Sequence, residues 1–169
     1  MFSLSTMYAI LLSISLCSKI NLAKFTIIFK HIEHTINIFF MFNIHNDNLK
    51  PILLVGNTAW NMEVYNGINH LRDVRVISVE EFVQLEDKKN YQYFTGGTDT
   101  SFRKMVVEKI EELVENANFV SFVSASAQLH PEFKVGKNSL VCSFVVSSRP
   151  TIIGDHCIIS HFCQFSHVK

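Results

Sequence analysis

The sequence predicts an α/β plus β chain: a small α/β domain followed by a parallel β-helix built from hexads. Two apolar columns and one alternation of elements carry that expectation. Every sixth residue from Val123 is apolar (Val123, Leu129, Val135, Val141, then Ile153, Ile159 and Phe165), with Ser147 alone breaking the column. Four places after each member stands a small or β-branched residue (Ala127, Ser139, Val145, Thr151, Cys157, Cys163), with Phe133 the bulky exception. A period of six fits neither a helix at 3.6 nor a plain strand at 2, but it is the repeat of short strands stacked in coils. Upstream, strand-like and helix-like segments alternate with short joints, which predicts a mainly parallel sheet.

The elements follow in order. Residues 1–42 form a hydrophobic extension, with Glu33 its only carboxylate and no charge from Met1 to Ser18. Serines dilute the apolarity of that run, and no basic residue precedes it as a secretory signal requires. A start of translation at Met41, a membrane anchor and an added amphipathic helix all remain open for it. Residues 50–122 form the α/β domain. Lys50–Val55 reads as a buried strand stopped by Gly56. Trp60, Val64 and Ile68 then recur every four residues as the buried stripe of a helix ending near Leu71. Val74–Ile77 is the second strand, and Ser78 with Glu81 makes a capping box that opens a helix through Leu85. Tyr91–Thr95 is the third strand, ending at Gly96-Gly97. Asp99 or Thr100 caps a last helix that turns Phe102, Val106, Ile110 and Leu113 inward and Glu108, Glu111, Glu112 and Glu115 outward. Phe119–Val123 closes the sheet, and 123–169 is the partial β-helix.

Fifteen basic residues balance fifteen acidic ones in 169 residues. With Lys and Arg scattered, no electrostatic footprint for nucleic acid exists. The four cysteines contain no C-x-x-C pair and read as reduced packing thiols of a cytoplasmic protein, with membrane association through residues 1–42 the alternative. Gly56-Asn57-Thr58 opens the first helix at the carboxyl end of the first strand, where a nucleotide phosphate would meet backbone N–H groups. It lacks the further glycines of a dinucleotide fingerprint, so a plain strand-to-helix turn competes with a substrate loop. His156, His161 and His167 cluster at the end of the chain. Residues six apart lie on successive faces of a three-sided coil, so these histidines do not converge on a metal within one chain, and no metal is expected.

The α/β segment, the run Val123–Leu129 (VSASAQL) and the run Ile152–His167 (IIGDHCIISHFCQFSH) together resemble the bacterial sugar O-acyltransferase family. That family includes sialic-acid O-acetyltransferases and acetyltransferases of amino-sugar nucleotides. The resemblance covers about residues 50–169. It implies a Rossmann-like α/β domain, a left-handed parallel β-helix of hexapeptide repeats, a homotrimer, and acetyl-CoA as co-substrate between coils of adjacent subunits. The implied activity is O- or N-acyl transfer to a sugar or nucleotide-sugar, in the pathways of cell-surface polysaccharides. A histidine fourteen residues after the isoleucine of an I-G hexad takes the base role, which counts from Ile153 to His167; His161 is second. Val168 stands where the family places a carboxylate to orient that histidine. The family also continues with further coils that bind acetyl-CoA, so the resemblance implies an incomplete β-helix here. A non-catalytic remnant or trimer-assembly module of the same fold is the alternative.

Overall fold

A computed structural model describes residues 41–166; all but the last two residues of the hydrophobic extension 1–42, and residues 167–169 with His167 among them, lie outside the described residues. Three parallel strands form the sheet of the α/β segment, in the order β3-β2-β4: β2 (Ile52–Val55), β3 (Val74–Ile77) and β4 (Gln92–Phe94). All four side chains of β2 are buried, because a central parallel strand is covered on both faces. Alternation along the strand sends Ile52 and Leu54 into one cluster with Val64 and Ile68. It sends Leu53 and Val55 into another with Phe82, Val106 and Ile110. Helix α1 (Ala59–Ile68) therefore covers one face, while α2 (Val79–Gln84) and α3 (Thr100–Leu113) supply the other.

The predicted start signals are made. Ser78 Oγ accepts from Glu81 N while the Glu81 carboxylate accepts from Ser78 N, the full capping box. Asp99, rather than Thr100, caps α3 by accepting from Ser101 N and Phe102 N. Helix α1 stops at Ile68, leaving Leu71 49 % exposed. The inward face of α3 is also rotated from the expected one. Arg103 and Val107 are buried beside Val106 and Ile110, whereas Leu113 is exposed and Val114 takes its place.

Phe119–Val123 does not close the α/β sheet as a full strand. Only an isolated parallel bridge joins Phe119 to Tyr93. The chain then crosses into β5 (Ser121–Ser124), which pairs antiparallel with β1 (Phe42–His45), a strand the sequence pattern did not disclose. Two-residue strands follow: β6 (Lys134–Val135), β7 (Leu140–Val141), β8 (Val146–Ser147), β9 (Ile152–Ile153), β10 (Ile158–Ile159) and β11 (Gln164–Phe165). Phe122 pairs with Leu140 and Leu140 with Ile158; Lys134 pairs with Ile152, and Val146 with Gln164, all parallel. Every pairing is eighteen residues apart, so three hexads make one turn of a three-faced parallel coil. The two predicted columns meet inside it: Val123, Val141 and Val145 are buried together, with Ala127, Leu129, Val135, Ile159, Cys163 and Phe165 packed around them. Outward from the coil, Phe122, Leu140 and Cys142 pack in one cluster with Ile52, Leu54, Val64 and Ile68. The α/β segment and the coil thus share a core.

Candidate functional site

Two glycine loops, their glycines buried in the protein, follow the carboxyl ends of β2 and β4, the edge where open parallel sheets take ligands. Gly56 has φ +101°, and a Cβ there would lie 3.1 Å from the Phe102 ring, so only glycine fits the turn. Its N–H donates to Ile77 O at 2.8 Å, and Thr58 N donates back to Gly56 O. Thr58 caps α1 by accepting from Asn61 N, and its hydroxyl donates to Gly96 O at 2.9 Å. Asn61, fully buried, ties the two loops together: its amide donates to Val55 O and Gly56 O, and its carbonyl accepts from Gly96 N. The backbone donors of Gly56 and Thr58 are therefore engaged inside the protein, and in the Gly56-Asn57-Thr58 turn Asn57 is the exposed residue.

His156 and His161 separate. His156 lies at a left-handed corner of the coil, φ 57°, stacked eighteen residues above Asn138, φ 51°. Thr95 N donates to Asn138 Oδ1, which turns the Asn138 amide NH₂ toward His156 Nδ1 at 3.0 Å. His156 Nδ1 consequently accepts, and its proton stands on Nε2. Burial first, then Lys137, holds this imidazole below its ordinary pKa, with Arg103 adding to the effect and Asp155 and Glu111 opposing it. The Arg103 guanidinium donates to His156 O at 2.6 Å and is itself pushed down by burial. Thr100, Arg103, Lys104, Val107, Glu108 and His156 line a cavity of about 320 Å³ between α3 and the coil.

His161 packs against α1. Its ring stacks on Trp60, centroids 5.8 Å apart at 16°, and its Nε2 stands 3.4 Å from Glu63 Oε1. Trp60, expected in the buried stripe, is half-buried because the coil supplies its cover. Glu63 is absent from every sequence motif; the one trace of it is its spacing of three from Trp60 on a helix. Cys142, Cys157 and Cys163 are free thiols, and Cys142 is pushed up to about 12 by burial, with Glu63 and then Cys163 adding to it. No group of three metal-ligating side chains exists among the described residues, and no helix among them is long and apolar enough to cross a membrane.

A parallel α/β sheet feeding an eighteen-residue coil is the arrangement found in solved acetyltransferases. The acetyltransferase domain of PglB from Neisseria gonorrhoeae, in complex with acetyl coenzyme A, superposes with a TM-score of 0.58 at 12 % identity, over 70 % of this chain and 65 % of that one. A variant of perosamine N-acetyltransferase from Caulobacter crescentus, in complex with CoA and GDP-perosamine, gives 0.58 at 15 %, over 68 % and 61 %. PerB from the same organism gives 0.55 at 14 %, over 68 % and 61 %. At these identities the likeness is one of fold, and the chain spans less than two thirds of those proteins. No family model and no curated protein matches the sequence.

Proposed function

We propose that this protein transfers an acetyl group from acetyl-CoA to the hydroxyl or amine of a sugar or nucleotide-sugar, as a member of the sugar O-acyltransferase class. The observation that carries this reading is the order and coupling of its parts: a three-stranded parallel sheet packed through one core onto a coil of eighteen residues per turn. Neighbours with that arrangement hold acetyl-CoA, or CoA with a nucleotide-sugar. A left-handed coil, a homotrimer and a cytoplasmic location belong to the same proposal. So does a base role for His167, with His161 second, and a substrate contact at Gly56, Asn57 and Thr58. A neutral imidazole taking the acceptor's proton as it attacks the thioester contributes roughly 10²–10⁴ in rate. No metal is needed for that step.

The test is calorimetric titration of the full chain with acetyl-CoA, followed by assay of thiol release with GDP-perosamine and UDP-linked amino sugars. Saturable binding and acceptor-dependent thiol release are expected; neither binding nor release overturns the reading. Ile152 at 77 % and Phe162 at 76 % exposure favour a second reading, an assembly module that uses the coil faces for contacts between copies. A defined trimer by light scattering with no affinity for acetyl-CoA would establish it.

A further inference from the structure

Helix α3 carries Arg103 into the seam with the coil without giving it a counter-ion. The residue is 8 % exposed, and among the described residues no carboxylate pairs with it. Its Nη2 donates to His156 O at 2.6 Å, while its Nε is buried with no hydrogen-bond partner. A buried, unpaired guanidinium is costly, and an anion seated against it offsets that cost. Arg103 also lines the cavity of about 320 Å³ between α3 and the coil. Two further donors line the same space. Asn138 occupies His156 Nδ1, so the Nε2–H of that ring is the one left to donate. Lys104 is exposed, and its partner Glu108 stands 3.7 Å away, an open i,i+4 pair worth little and easily exchanged for a ligand. Glu108 is the one carboxylate of the lining. Asp155 and Glu111, which also act on His156, are engaged by Lys137: Asp155 Oδ1 accepts from Lys137 N, and Glu111 faces Lys137 Nζ at 3.8 Å. The backbone of the first turn of α3 is not the anchor, because Asp99 already accepts from Ser101 N and Phe102 N.

We propose that this cavity is a phosphate-monoester site held by Arg103, Lys104 and His156. It is separate from the Gly56-Asn57-Thr58 turn, and it stands whether or not the chain transfers acetyl groups. Donors from two elements, α3 and the coil, suit a tetrahedral group with three acceptor oxygens better than a planar carboxylate with two. Two cations match the charge of a monoester, about −1.5 to −2 at neutral pH. The cavity is many times the space one water needs, so it has room for the small body that carries the phosphate. Two sources supply that chemistry: a small phosphorylated metabolite, or the monoester of a larger molecule such as CoA. In either case the ligand bridges α3 and the coil, and its binding stabilises the seam between them.

The experiment titrates the full chain with inorganic phosphate, glucose 1-phosphate and acetate at low ionic strength, following both heat and melting temperature. Saturable binding of the two phosphates with a rising melting temperature is expected, and acetate should bind about tenfold more weakly or less. Lys104→Glu, at an exposed position that leaves the fold intact, should weaken phosphate binding about tenfold or more. Arg103→Gln should weaken it similarly, and Arg103→Lys should weaken it less. Lys89→Glu, exposed and outside the lining, should leave it unchanged. Equal losses in Lys104→Glu and Lys89→Glu would reduce the effect to net charge and overturn the site. So would wild-type affinity in Lys104→Glu, or acetate binding as tightly as phosphate. Absence of saturable phosphate binding in a chain that still binds acetyl-CoA and releases thiol overturns this proposal alone. CoA against dephospho-CoA separates the sources: a preference for CoA that Lys104→Glu abolishes assigns the monoester to CoA, and equal binding of the two assigns it to a separate metabolite.

Discussion

At the residue scale, His156 shows how a buried ring records its surroundings. Burial, Lys137 and Arg103 all oppose its charging, so its folded pKa lies below the unfolded one, near 6.5. The folded state then binds fewer protons than the unfolded chain. Stability from this group is fully present above about pH 6.5 and is lost as pH falls through the lower folded value. Urea midpoints should therefore drop as pH falls below about 6.5, and His156→Gln should flatten that slope. An unchanged slope in the variant would assign the acid sensitivity elsewhere. The Asn138 amide fixes the tautomer and Thr95 N fixes the Asn138 amide, so a corner of the coil is wired to the end of β4. His156 and His161 are alike in the sequence; their hydrogen-bond partners separate them.

At the scale of elements, the coil depends on hydrogen bonds that repeat every eighteen residues. Ser121 Oγ donates to Gly136 O and accepts from Ser139 N; one turn later Ser139 Oγ donates to Gly154 O and accepts from Cys157 N. The hexad glycines are not equivalent. A Cβ on Gly136 would lie 2.4 Å from Asp155 Oδ1 and 2.5 Å from the Gly154 carbonyl carbon, backbone that cannot yield cheaply. Gly136→Ala should cost about 1–3 kcal/mol in denaturant titration, as overpacking does. At Gly154 nothing lies within 4 Å. Gly154→Ala should stay within about 0.5 kcal/mol, so equal effects at the two positions would contradict the stacking described here. The columns made the hexads legible in the sequence, whereas the inequality of two glycines in the same register was not, since it depends on which turn lies against which.

For the whole molecule, the decisive feature is the cluster that joins Ile52, Leu54, Val64 and Ile68 to Phe122, Leu140 and Cys142. Neither the sheet nor the coil buries its facing side alone, so the described residues should unfold together. Trp60 fluorescence reports α1, and hydrogen exchange at Leu140 and Cys142 reports the coil. Coincident transitions are expected, and Leu140→Ala should shift both by about 2–5 kcal/mol. Two separate transitions would show that the halves are independent. Strand β1 completes this body by pairing with β5, and it was not legible because FNIH carries no clear alternation and its pairing partner is eighty residues away.

The sequence by itself determined the alternation of strands and helices in the α/β segment, the capping of α2, the three-hexad coil and its inward columns. Each depends on near neighbours or on a fixed period along the chain. Only the tertiary structure decided that Phe119 leaves the sheet for the coil, that α3 turns Arg103 inward, and that Asn61 ties the two glycine loops. It also decided that His161 meets Glu63, ninety-eight positions earlier in the chain. A contact of that kind is set by how the coil is laid against α1, and no local pattern encodes it.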